Sequence, residues 1–172
     1  MADTDYEILN VVDEMDRVIG QRTRTEIHRL GLIHRAVHAL VFNSSGRLFL
    51  QQRSMSKDRN PGLWDSSAAG HVDAGEDYGD CVAREVREEL GIDAPGRFER
   101  LFKTEATPET GMEFCTVYRL IDDGPFRLNV TEIQGGGWFS PGEIDSWISR
   151  GGDALTSTFQ KIWMTAHETY IQ

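Results

Sequence analysis

The chain has 172 residues, 28 of them Asp or Glu against 18 Lys or Arg, for a formal net charge of −10. That length predicts one domain, residues 1–172, around a sizeable core, and the acidic balance argues against a nucleic-acid polymer or an acidic membrane surface as partner while leaving a small phosphorylated molecule open, because bound cations would offset its charge. Two cysteines, Cys81 and Cys115, are too few for a disulfide framework, and without a signal peptide or long apolar run the expected location is cytoplasmic, with no membrane attachment.

In chain order, residues 1–5 read as a short flexible polar tail. Tyr6 to Val12 alternates as a strand, Asp13 to Asp16 turns, and Arg17 to Gln21 returns, giving an N-terminal β-hairpin. Ala36 to Phe42 and Leu48 to Gln52 are strands joined by the turn Asn43 to Gly46, a second hairpin. Arg53 to Trp64 is polar and irregular, punctuated by Pro61 and Gly62, and Ser66 to Ala69 enters the sheet ahead of Gly70. Strands follow at Phe98 to Thr107, Glu113 to Ile121 and Glu132 to Phe139, the last loosened by Gly135, Gly136 and Gly137. Ser140, Pro141, Gly142 and Glu143 start a helix that runs through Trp147, and Ala154 to Tyr170 forms a C-terminal helix. The order predicts an α/β (α+β) fold, a mixed sheet with helices on both faces.

The informative stretch is Gly70 to Ile92. A glycine loop leads into a helix in which Glu85, Glu88 and Glu89 share an arc of roughly 100°. Val82, Ala83, Val86 and Leu90 form the core stripe beside that arc, and Gly91 suits the left-handed residue that ends a helix. Clustered carboxylates repel unless a cation neutralises them, and oxygen ligands on a rigid element suit Mg2+ or Mn2+. The plainer reading is a solvated acidic helix face.

The residues Gly70, Glu76, Arg84, Glu85, Val86, Glu88, Glu89, Gly91 and Ile92 satisfy every defined position of G-x5-E-x7-R-E-U-x-E-E-x-G-U, with U aliphatic. The chain thereby resembles the Nudix family. The resemblance implies an α/β/α sandwich and a metal-dependent hydrolase of a diphosphate bond in a nucleoside diphosphate derivative or nucleotide. It implies that Glu85, Glu88 and Glu89 hold the metal and that Glu76 and Arg84 orient the loop and helix. The carbonyls of Ala69 and Gly70 would complete the metal shell, since hard cations accept peptide oxygens. Arg53 and Lys57 are candidates for substrate phosphate, against the reading of an ordinary basic loop. Trp64 is expected as a structural aromatic, and Trp138, Trp147 and Trp163 as core or helix-closing residues.

A second resemblance reaches further. His34-Arg35-Ala36, the run Gln51, Gln52, Arg53, Ser54 and Lys57, and Pro61-Gly62-Leu63-Trp64 look like isopentenyl-diphosphate isomerase, a member of the same superfamily. The chain is most similar to the bacterial Nudix hydrolases that are isomerase-like in sequence. Three reactions follow: hydrolysis, isomerisation, or nucleotide sensing without cleavage. In the isomerases a cysteine after the tryptophan transfers a proton. Ala69 stands there in this chain, and alanine cannot. The complete set of box acids disfavours a non-catalytic module. For hydrolysis the proton acceptor is Glu85, Glu89 or a downstream acid, among Glu105, Glu109, Glu113 and Glu132.

The isomerase pattern also marks His28, His34, His71 and Glu113 as a candidate second metal set, with imidazoles suited to Zn2+, Mn2+ or Fe2+. His28 fits only with a spacing one residue shorter, and the isomerases' other glutamate falls at Gly111. The expectation is therefore that His34 and His71 are hydrogen-bonding residues near the cleft and His28 is exposed.

Overall fold

The computed structural model describes residues 6–171, so the tail expected at residues 1–5 lies outside the described residues. β1 (Ile8–Val12) and β2 (Val18–Thr23) pair antiparallel as a separate two-stranded hairpin. Asp13 organises its turn, its Oδ1 accepting from the amides of Met15 and Arg17 at 2.9 Å each.

The sequence reading placed no helix after β2. The structure has one, α1 (Arg24–Leu30), started by a reciprocal box between Thr23 and Glu26 and ended by Gly31 at φ 64°. Seven residues are too few for a helical period to stand out, though Thr23 followed by Glu26 was a readable start signal. α1 folds against the hairpin through Ile27, which packs with Leu9, Val11 and Leu32.

The main sheet has seven strands. They are β3 (His34–Phe42), β4 (Leu48–Arg53), β5 (Trp64–Asp65), β6 (Ala68–His71), β7 (Glu99–Thr104), β8 (Glu113–Ile121) and β9 (Ile133–Phe139). β3 and β8 run parallel from His34↔Glu113 to Phe42↔Ile121, and the other pairs are antiparallel. The sheet is mixed, as expected. The expected second hairpin exists but is paired only at Phe42↔Leu48. Beyond that point β3 takes β6 as partner and β4 takes β5 and β9. Ser67 holds the fork: its hydroxyl accepts from Val41 N and donates to Phe49 O.

α2 (Tyr78–Leu90) covers one face, with Val82, Val86 and Leu90 packed on Val37, Ala39, Val41 and Tyr118. Ala83, placed in the predicted stripe, is half-buried, and Cys81 is buried beside the stripe instead. α3 (Pro141–Ser149) and α4 (Ser157–Thr169) cover the other face, where Ile144, Phe159, Ile162 and Trp163 meet Leu40, Phe42, Leu48 and Leu50. Residues of opposite parity on β3 therefore serve opposite layers. The four tryptophans take structural places. Trp64 meets Phe139 and Trp147 edge-on, Trp138 packs with Phe49 and Phe126, and Trp163 is buried.

Candidate active site

A cleft of about 400 Å³ opens where the sheet forks. Its lining includes Ala69, Gly70, Glu85, Glu88 and Glu89, so one cavity collects the whole predicted cation set. α2 presents these acids because its N-cap Asp77 accepts from Asp80 N, and Gly91 ends it at φ 71°. The acids are graded in exposure. The Glu88 side chain is 53% exposed, that of Glu85 12%, and Glu89 is 6% exposed.

Gly70 leaves room for the end of the Glu85 side chain. A Cβ built there would lie 2.1 Å from the Glu85 carboxyl, so any other residue at the first glycine of the box would displace that carboxyl. Arg84 fixes the loop. Its Nε and Nη2 donate to the two Glu76 oxygens at 2.8 and 2.9 Å, and Nη2 also donates to His71 O at 3.1 Å. Glu76 accepts in addition from Asp73 N. The pairing expected for Glu76 and Arg84 is thus present, and Arg84 Nη1 reaches Glu85 at 2.7 Å as well.

Burial pushes the Glu85 carboxyl up to about 8, against the pull of Arg84 and with the repulsion of Glu88. Burial and then Glu85 push Glu89 well above the usual carboxylate range, while a 2.7 Å hydrogen bond from Gln51 Nε2 opposes them. One buried and one mostly buried carboxyl in a cleft, with a single guanidinium and an amide for partners, form a donor set short of positive charge. That is the condition a divalent cation with oxygen ligands meets.

The second set converges, contrary to expectation. Ligand atoms of His28, His34, His71 and Glu113 lie within 4.8 Å of one another. His28 is half-buried rather than exposed, and its Nε2 is fully buried with no partner. The Nδ1 of His34 lies 2.9 Å from Leu32 O, which can only accept. In the neutral ring, Nε2 therefore carries a lone pair. That nitrogen is buried without a hydrogen-bond partner, 3.3 Å from a Glu113 oxygen. Burial opposes charge on Glu113, yet the adjacent His34 and His71 hold its carboxyl well below the usual range. Burial, then His71, drives His28 down to about 3, so its ring is neutral at ordinary pH. Neutral imidazole lone pairs around a carboxylate fit a metal ion. The sequence spacing hid this because α1, which carries His28, was not foreseen.

Arg53 and Lys57 border the cleft, each with a protein partner. Arg53 donates through Nε and Nη2 to Arg59 O and lies 3.7 Å from Asp65, while Lys57 pairs with Glu132. Of the downstream acids, Glu109, Glu113 and Glu132 line the cleft. Arg24 was not anticipated. It is buried at the cleft wall, held by Asp58 at 3.0 Å and Glu7 at 3.7 Å.

An α/β/α sandwich with this helix over a metal-suited cleft defines a class, and comparison with known proteins gives the same class. A family model described as NUDIX domain matches residues 32–158. An uncharacterized Nudix hydrolase of Pseudomonas aeruginosa, PA4841, is 44% identical over 134 residues, 77% of this chain and 78% of its own length. An isopentenyl-diphosphate Delta-isomerase of Serratia proteamaculans is 32% identical over 91% of this chain and 89% of its own. The crystal structure of DR0079 from Deinococcus radiodurans superposes with a TM-score of 0.83 at 32% identity, over 92% of this chain and 98% of that one. The chain belongs to the Nudix hydrolase family, enzymes that act on phosphoric anhydride bonds. Nudix hydrolases typically use divalent metals such as Mg2+. Among the described residues, no helix is long and apolar enough to cross a membrane.

Proposed function

We propose that this chain, as a single Nudix domain, hydrolyses a diphosphate bond in a nucleoside diphosphate derivative or nucleotide with Mg2+ or Mn2+. The carrying observation is the pair of carboxyls, Glu89 buried and Glu85 mostly so, in a cleft with too little fixed positive charge to neutralise them. Glu85, Glu88 and Glu89 would hold the cation together with the carbonyls of Ala69 and Gly70. What such a cation supplies is polarised phosphoryl oxygens and a more acidic water. Arg84, paired with Glu76, holds the His71 carbonyl at the end of β6, the strand that carries those carbonyls. A carboxylate takes the water's proton, and Glu85, Glu89, Glu109, Glu113 and Glu132 line the cleft to do so. Isomerisation is disfavoured because Ala69 lines the cleft where a thiol is needed, while Cys81 and Cys115 are buried. The test is a phosphate-release screen with Mg2+ and Mn2+ over nucleotides, nucleotide sugars, dinucleotides and isopentenyl diphosphate. Release from a diphosphate-containing nucleotide is expected. No release from any nucleotide, together with conversion of isopentenyl diphosphate to its isomer followed by chromatography, would overturn the reading.

The orphaned imidazole nitrogens favour a second, separate centre. His28, His34, His71 and Glu113 would hold Zn2+, Mn2+ or Fe2+. Protein purified without added metal or a polyhistidine tag is expected to carry one such ion, and His71→Ala to lose it. Equal metal content in the two proteins would refute the assignment and leave the box untouched.

A further inference from the structure

Five cationic side chains other than histidine line the cleft: Arg24, Arg53, Lys57, Arg59 and Arg84. Four of them have a carboxylate within 4.0 Å. Arg59 alone has none among the described residues, in a protein of net charge −10.

Its loop is nonetheless clamped on either side. Arg53 donates twice to the Arg59 carbonyl, at 3.2 and 3.0 Å. The neighbouring Asp58 accepts from Arg24 at 3.0 Å, and the next residue, Asn60, accepts at its carbonyl from Leu63 N at 3.3 Å. The Arg59 guanidinium rests on Gly111, where a built Cβ would be 3.4 Å from Nη1. The backbone is thus fixed, and the exposed Arg59 lines the cleft with its guanidinium over Gly111 and no carboxylate beside it among the described residues. Along β3, Gly70 pairs at Val37, His71 at Ala36 and Glu113 at His34, and Gly111 precedes Glu113, so the His71–Glu113 contact of 3.0 Å lies between the Gly70 end, where Glu85 packs, and the Gly111 end, where Arg59 lies. A group held by Arg59 would therefore lie several strand positions along β3 from the α2 acids.

We propose that Arg59 is a specificity residue that binds a third phosphoryl group on the substrate, beyond the diphosphate engaged at α2. A guanidinium presents parallel N–H donors that match two phosphate oxygens. The group can come from the end of a nucleoside triphosphate or from a phosphorylated ribose, and both present the same oxygens. The proposal rests on the hydrolase reading for the position of the diphosphate.

The test is equilibrium binding by titration calorimetry in Mg2+, with methylene-bridged analogues that are not cleaved. The compounds are a nucleoside diphosphate, the matching triphosphate, and the diphosphate with a 3′-phosphate, each with adenine, guanine, cytosine and uracil. Wild type is expected to bind one of the two three-phosphoryl compounds about tenfold more tightly than the diphosphate, the worth of a charge-assisted contact. R59Q should abolish that ratio while changing diphosphate affinity by less than about twofold, and R59K should retain part of it. Which compound loses affinity in R59Q identifies the source of the third group. Equal affinity of wild type for all three, uniform weakening by R59Q, or no binding of any compound would overturn the proposal. Because binding is read without turnover, failure of the hydrolase reading shows separately, as no phosphate release from the cleavable nucleotides.

Discussion

Glu89 shows what one side chain contributes and what it costs. Its carboxyl is buried, held by Gln51 and pushed upward in pKa by burial and by Glu85. An acid whose folded pKa is raised binds a proton more readily folded than unfolded, so above its unfolded pKa it weakens the fold in the absence of metal. Glu89→Gln keeps the shape and removes that charge. It is expected to lower kcat by at least roughly 10²-fold in Mg2+, because the cation site loses a charged oxygen. In EDTA at neutral pH it should hold or raise Tm. Full activity of Glu89→Gln at low Mg2+ would dismiss Glu89 from the site. At this scale the sequence was informative wherever a motif fixed the spacing. Glu85, Glu88, Glu89, Glu76 and Arg84 could all be read from it, because one helix and its loop carry them. The partners of Arg53 and Lys57 could not. Asp65 and Arg59 O lie across a loop, and Glu132 is 75 residues from Lys57.

Among the elements, the N-terminal hairpin depends on one turn residue for its attachment to the sheet. Asp16, at φ 60°, accepts from Arg35 Nε at 2.6 Å, Lys103 Nζ at 2.7 Å and Tyr78 Oη at 2.9 Å. Those three donors sit on β3, β7 and the first residue of α2. Burial works against the charge, but the bonds from Lys103, Arg35 and Tyr78 outweigh it and lower the Asp16 pKa. A lowered folded pKa gives stability that is present above the unfolded value, near 4, and lost as pH falls through the folded value. Asp16→Asn is expected to cost about 2 kcal/mol at pH 7, since it leaves two cations without their anion. Urea unfolding at pH 7 should show a lower midpoint for the variant, and the gap should narrow as pH falls below about 4. A difference independent of pH would mean that shape rather than charge joins the hairpin. The hairpin was evident in the alternating residues of β1, but its docking was not, because nothing local marks Asp16 as the partner of a lysine 87 residues away.

For the whole molecule, the forked sheet decides where the chemistry sits. Strands on both sides of one central helix, with more helix at the end, predicted a mixed sheet with helices on both faces, and the family resemblance implied the sandwich. What local pattern could not supply was register: β3 pairs β8 in parallel across some 80 residues, and that pairing brings Glu113 opposite His34. It also could not show that the β3–β4 hairpin parts after Phe42, which creates the cleft. The convergence of His28 with His71 needed α1, the hairpin and the sheet together.

The last helix is joined to this cleft by a seam. Trp64 N donates to Ala154 O at 2.7 Å, and Thr156 N donates back to Trp64 O at 2.9 Å. Thr156 also caps α4, and Ser157 and Thr158 both donate to Glu109 O, on the cleft wall. A local opening that frees the start of α4 therefore frees the strand that leads into Gly70. The amides of Trp64 and Thr156 are expected to exchange with deuterium at one shared opening free energy. Shortening the chain before Ser157 should raise exchange at β5 and β6 as well as remove a helix. Independent exchange rates at those two amides would show that the C-terminal layer can breathe without disturbing the strand that leads into Gly70.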